Sequence, residues 1–166
     1  LANRLYDGMA AAWENTKRQP FAQIEIRVAI AKLAPRNHKG FTEADYLAKL
    51  KPGADSWQQC LAALGLSWRR RCERGQPVEV PVVDFGPAML LLLPGESYVE
   101  FQLAAQRMRP NAFVMVSGYG EGGTGYVPTA KHWAEKDFNL NDWCWVHPEA
   151  EEILLKAITR GMREEK

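Results

Sequence analysis

Residues 88–120 read "AMLLLLPGESYVEFQLAAQRMRPNAFVMVSGYG". "AMLLLLPG" is an apolar run of strand length, ended by Pro94-Gly95. "ESYVEFQLAAQRM", 96–108, has helical spacing, and "NAFVMVSG", 111–118, reads as a second strand, expected to be buried. Strand, helix and strand over about 30 residues make a βαβ unit. Its crossover is right-handed, so the two strands run parallel and their carboxyl ends share one edge of the sheet. Ligands of open α/β sheets bind at that edge. Glu96 follows the first strand, and Tyr119, Glu121 and Tyr126 follow the second. The expected fold class is therefore α/β, with a mixed sheet, a βαβ unit and flanking helices in a single region spanning 1–166.

The rest of the chain fits that frame. "PVEVPVVDFG", 77–86, precedes the first strand across Gly86-Pro87, which predicts a hairpin. "AQIEIRVAIAKL", 22–33, alternates Ile24, Ile26, Val28 and Ile30 with polar or small neighbours, the pattern of a half-buried strand with the branched residues inward. "TEADYLAKLK" predicts a short helix stopped by Pro52-Gly53. "DSWQQCLAALGLSWRRRCERG" predicts a longer helix, with Trp57, Cys60, Leu61, Leu64 and Trp68 on one side. Its last turns carry Arg69, Arg70, Arg71 and Arg74, which complement a helix C-terminus. "PEAEEILLKAITRGMREEK" predicts a final helix, with Pro148 at its start and glutamates in its first turn. At the front, Leu1, Leu5, Met9 and Trp13 recur every fourth residue as one apolar stripe of a helix. The chain opens on that helix without an initiating Met, as a trimmed terminus or a piece of a longer protein would.

Bulk properties narrow the classes. The 166 residues are 46% hydrophobic and 25% charged, with a net charge of +1. That balance gives no electrostatic reason to expect nucleic acid. No apolar run approaches the roughly 20 residues of a transmembrane helix. Cys60, Cys72 and Cys144 show neither an even framework nor C-x-x-C spacing. His38, His132 and His147 lack partners at metal-ligand spacing and are expected in loops or at exposed positions.

The loop "VMVSGYGEGGTGYVPT", 114–129, holds five glycines. Gly118, Gly120 and Gly123 match G-x-G-x-x-G, but a dinucleotide site needs a helix to open directly after them. Tyr126-Val127-Pro128 is instead an extended sequence. Two readings remain open on these residues. One is a glycine-rich turn without a ligand; the other is a loop that lets backbone and tyrosine approach a metal or substrate. Glu96 is likewise either a helix-opening carboxylate, worth about 0.3–1 kcal/mol against the helix dipole, or a site residue. "WCW", 143–145, is a hydrophobic anchor or a pocket wall.

Taken together, "LLLPGES" and "VMVSGYGEGGTGYVPT" resemble the neutral (non-lysosomal) ceramidase family, over about residues 86–130 and more loosely elsewhere. The family's proteins are zinc amidohydrolases that cleave the N-acyl bond of ceramide. The resemblance implies that Glu96 and Tyr126 are zinc ligands. Tyr119, Glu121 and Gly123 are the weaker candidates for lining a substrate site. In the family, the two zinc-binding histidines and a serine-containing catalytic segment lie upstream of the matched region. The chain thus looks like the later part of the catalytic domain, with an incomplete zinc ligand set. The implied partners are a lipid amide and the upstream segment of the same protein, with no nucleic acid and no transmembrane segment. The implied location is secreted, periplasmic or cell-surface. Two positions depart from the family pattern: Pro128 stands for a Thr, and Phe138 falls near a second active-site tyrosine without supplying a hydroxyl. The rival class is a non-catalytic α/β module that keeps the fold without the chemistry.

Overall fold

A computed structural model describes residues 1–18, 20 and 23–163. The fold is α/β. A four-stranded mixed sheet of order β1-β2-β3-β5 is formed by Glu25–Ala31, Val78–Asp84, Ala88–Pro94 and Phe113–Gly120. Strands β1 and β2 are antiparallel, as are β2 and β3, whereas β3 and β5 run parallel. Helix α4, Val99–Met108, lies between β3 and β5 in sequence, so the βαβ unit is present. The β2–β3 hairpin closes through Phe85 N–H donating to the Ala88 carbonyl at 2.8 Å. Gly86 sits in its turn at φ 84°, a conformation few side chains adopt.

One face of this sheet is covered by helix α6, Ala150–Gly161, and by α4. Beneath them lie Ala29, Ala31, Val78, Val80, Val82, Met89, Leu91 and Val114, all buried. The fit is tight at Gly161, where an added Cβ would come within 2.9 Å of Val82 Cγ2. The small residue at this contact is Gly161 on the helix, which lies over Val82 and Ala29. The side of β1 that α6 covers is the reverse of the expected one. Ala29 and Ala31 point inward, while Ile26 and Val28 remain 67% and 49% exposed on the other side. Strand β5 is likewise an edge strand rather than a buried one, with Phe113 69% exposed.

Helices α2, Glu43–Lys49, and α3, Ser56–Glu73, pack together beside the sheet. A capping box between Thr42 and Asp45 starts α2, and Asp55 accepts from Gln58 N–H to start α3. The buried side of α3 is Leu61, Ala62, Gly65, Leu66, Trp68 and Arg69, so Trp57, Cys60 and Leu64 lie outside it, contrary to the apolar pattern. Gly65 decides this: a Cβ there would lie 2.6 Å from the Tyr46 ring, so α2 can approach α3 only over this glycine. The arginines at the end of α3 are bound internally. Arg69 donates to the Arg36 and Phe41 carbonyls at 2.7 and 3.1 Å, Arg71 to the Pro77 carbonyl at 2.7 Å, and Arg70 pairs with Glu43 at 2.9 Å. Helix α1, Ala2–Glu14, forms as expected but carries no buried residue. The chain beyond residue 163 lies outside the described residues, and no helix of the described residues is long and apolar enough to cross a membrane.

Candidate functional site

The carboxyl edge of the βαβ unit holds a second, two-stranded parallel sheet. Its strands are β4, Glu96–Ser97, and β6, Tyr126–Val127, and in its register Glu96 is the direct neighbour of Tyr126. Glu96 therefore does not open a helix, as the helical reading from residue 96 expected. It lies on a strand, and α4 begins three residues later. Glycines make this arrangement possible. Gly95 has φ 49°, and a Cβ on it would meet Thr124 Oγ1 at 1.9 Å and the Gly125 carbonyl at 2.7 Å. Gly125 has φ 63°, and a Cβ on it would meet the Trp143 carbonyl oxygen at 2.3 Å. Only glycine lets these strands approach so closely. No helix follows the glycine loop directly; β6 comes next, as the extended reading of Tyr126-Val127-Pro128 predicts.

Main-chain bonds then fix the rim. Glu96 N–H donates to the Gly125 carbonyl at 2.9 Å, and Tyr126 N–H to the Trp143 carbonyl at 2.8 Å. Through this last bond the 143–145 segment lies along β6. The Trp143 indole N–H donates to Glu96 Oε1. Its ring stacks on Trp57 at 5.9 Å and 9°, and lies against Trp145 at 5.2 Å. "WCW" is thus an anchor through its last two residues. Trp145 and Cys144 are buried, whereas Trp143 faces the carboxylate.

A second layer supports Tyr126. The Tyr98 ring meets the Tyr126 ring edge-on at 5.8 Å and the His132 ring at 4.4 Å. Its hydroxyl donates to Asp137 Oδ2 at 2.8 Å. His132 is held between Thr129 Oγ1, 2.9 Å from Nδ1, and Glu100 Oε1, 3.5 Å from Nε2. Its side chain is only 15% exposed, which corrects the expectation of an exposed position. His147 sits instead beside Glu149, and His38 stacks on Trp133.

Electrostatics follow from this geometry. Burial, then the Glu96 charge, push the Tyr126 phenol above its ordinary value, so it stays protonated beside Glu96. Burial and the bond to Asp137 push the Tyr98 phenol up as well. The Asp137 carboxyl is held low by the Asn139 N–H and then by the Tyr98 hydroxyl.

Of the residues singled out from the sequence, Glu96 and Tyr126 are adjacent. Tyr119 is 81% exposed, at φ 60°. Its N–H donates to the Gly95 carbonyl at 2.6 Å, so its backbone closes the rim. Glu121 is exposed, and Gly123 faces open space. Phe138 is exposed in a 3-10 turn directly after Asp137. Tyr98 and Asp137 are the residues at this edge that sequence reasoning missed, and for Trp143 it missed the bond of the indole to Glu96. Tyr98 alone had a signal, since it lies two residues past Glu96, the strand repeat.

A carboxylate beside a phenol is a pair of oxygen donors suited to a dication. Among the described residues, no group of three or more His, Cys, Asp or Glu is placed to hold a metal ion. Two protein oxygens are fewer than the three or four protein ligands of a zinc site.

No protein-family model and no curated protein matches the chain. Among solved structures, it is similar to a neutral ceramidase from Pseudomonas aeruginosa, with 13% sequence identity and a TM-score of 0.47. That match covers 92% of this chain and 31% of the ceramidase chain. The chain therefore spans less than a third of that structure.

Proposed function

We propose that the chain is a portion of a ceramidase-like, zinc-dependent amidohydrolase acting on ceramide or a related lipid amide. Glu96 and Tyr126 are its metal ligands in this reading, and the remaining ligands and the reacting groups come from outside residues 1–166. One observation carries it: two residues 30 positions apart, each in a motif of the family pattern, are register neighbours at the carboxyl edge of the βαβ unit. Zinc, when bound, would polarise the amide carbonyl and lower the pKa of a coordinated water.

The chain's own residues have separate tasks. Glu96 supplies the negative charge. Tyr126 supplies a phenol that must release its proton to bind a metal, against the burial and the Glu96 charge that now hold it. Trp143 orients the Glu96 carboxylate through its N–H. Tyr119, Glu121 and Gly123 line the open side, where an acyl amide would enter.

The test is a zinc titration of the chain, followed by calorimetry and by ultraviolet difference absorption of tyrosinate. Weak binding is expected, because most ligands of a site worth about 10–16 kcal/mol are missing. Glu96→Gln should abolish that binding, Tyr126→Phe should remove the tyrosinate band, and Tyr119→Phe should change neither. Unaltered zinc binding in Glu96→Gln would make Glu96 a structural carboxylate. One observation favours the rival reading of a non-catalytic module: the Glu96 carboxylate already has a partner in the Trp143 indole N–H. Under that reading, Glu96→Gln would lower stability and leave zinc binding unchanged.

A further inference from the structure

Strand β1 is an outer strand of the main sheet, and its register with β2 runs unbroken from Glu25 to Ala31. In an antiparallel pair, every second residue turns its N–H and C=O groups away from the partner strand. Among the described residues, no strand pairs with that outer side of β1. Natural edges are blunted by prolines, bulges or free charges. Strand β1 has no proline and no bulge, and its charges are spent: Arg27 pairs with Glu25 at 2.6 Å and with Asp84 at 2.7 Å. A groove runs beside this edge, because α6 packs over β1. Two cavities of about 380 and 360 Å³ open between strand and helix. Residues 25–29 line the first and Ile30 and Lys32 the second, while Arg160 of α6 lines both. The second cavity sets the apolar Ile153 and Ala157 among three cations, Lys32, Lys156 and Arg160. Lys156 pairs with Glu152, whereas among the described residues Lys32 and Arg160 pair with no carboxylate.

We propose that this groove takes up an extended acidic polypeptide segment as a further strand of the sheet, paired to the open edge of β1 with its acidic side chains turned toward α6. Two features select that occupant. The free edge offers N–H and C=O groups at strand spacing, which another extended backbone matches along its whole length. The cations of α6 and Lys32 then select carboxylates on the side of the strand that faces them. Side chains of a strand alternate between its two sides, so the residues between the acids lie beside Ile26, Val28 and Ile30, where β-branched residues pair well. The expected segment therefore alternates acidic with β-branched residues. A second copy of the chain fits worse. Arg160 stands at the middle of the edge, between the two cavities, and a twofold pairing of β1 with β1 would bring it against its own counterpart. Strands β2 and β3 separate this edge from Glu96 and Tyr126, so the groove and the metal reading stand or fall separately.

The probe is a capped synthetic peptide alternating valine with glutamate, as long as the seven residues of β1, titrated against the chain by fluorescence polarisation. Binding is expected. Lys32→Glu and Arg160→Glu, both at exposed positions, should each weaken it by about 10-fold, with folding checked by circular dichroism. A peptide with lysine in place of glutamate should not bind. Two N-methylated peptides test the strand itself, one methylated at every valine and the other at every glutamate. These remove opposite rows of N–H groups, so one should lose binding and the other keep it. Hydrogen exchange read by NMR should show new protection at alternate residues of β1 when the peptide is bound. No binding at millimolar peptide, binding kept by both methylated peptides, or protection confined to other elements would each overturn the proposal. So would protection of the same β1 amides that grows with protein concentration in the absence of peptide, which would make a second copy the occupant.

Discussion

Gly95 and Thr124 are packed so closely that a single methyl group on Gly95 would fall 1.9 Å from the Thr124 hydroxyl oxygen. Thr124 is fully buried and cannot retreat. The Gly of Pro-Gly-Glu is therefore there to let β4 and β6 meet, which is what makes Glu96 and Tyr126 neighbours.

Gly95→Ala should consequently cost more than the ordinary penalty for leaving a left-handed glycine conformation. Overpacking of about 1–3 kcal/mol adds to it. Gly123 is the control, because it has a similar φ of 56° with open space around it. Gly123→Ala should cost only about 1 kcal/mol, from backbone strain alone. Urea unfolding of both variants gives the comparison, and equal losses would remove the steric account.

Acid should weaken the chain through Asp84. It pairs with Arg27 at 2.7 Å and accepts from Gly86 N–H at 2.8 Å, beside the hairpin. Burial alone would raise its pKa, but the Arg27 bond, the Gly86 bond and the Arg27 charge outweigh it, and the carboxyl is held low. A depressed folded pKa gives stability that is present above the unfolded carboxylate value and lost as pH falls through the folded value. Asp84→Asn should therefore be destabilised at neutral pH by about 1–3 kcal/mol, the scale of a lost charged hydrogen bond, since Arg27 keeps its pair with Glu25 at 2.6 Å. The gap to the parent should narrow as pH drops from 5 toward 3. Urea midpoints across that range measure it, and a constant gap would exclude the linkage.

Tyr98 tests how the rim is supported. Tyr98→Phe keeps the ring contacts with Tyr126 and His132 but removes the bond to Asp137. The expected loss is about 1–2 kcal/mol. The Asp137 carboxyl should then titrate nearer its ordinary value, since Tyr98 is its second-largest stabilising partner. Carbon-detected NMR of the carboxyl group in both proteins reads that shift. An unmoved titration would show that Asn139 alone holds Asp137 low.

The order of elements was legible in the sequence because each is specified locally. The Thr42–Asp45 box starts α2, Gly86 turns the hairpin, and two strand-length apolar runs around a helical pattern make the βαβ unit. Topology then brought Glu96 and Tyr126 to one edge. The tertiary structure decided what local pattern cannot. Ile26 and Val28 are better strand-core residues than Ala29 and Ala31, yet the alanines are buried, because they lie on the side of β1 that α6 covers, with Gly161 over Ala29 and Val82. Residues 96–97 left the helical pattern for a strand because β6 offered hydrogen-bond partners. The Trp143 indole reached Glu96 across 47 positions through the pairing of β6 with the 143–145 segment. Periodicity records which residues share a face; only the closeness of the neighbouring layer determines which face is buried.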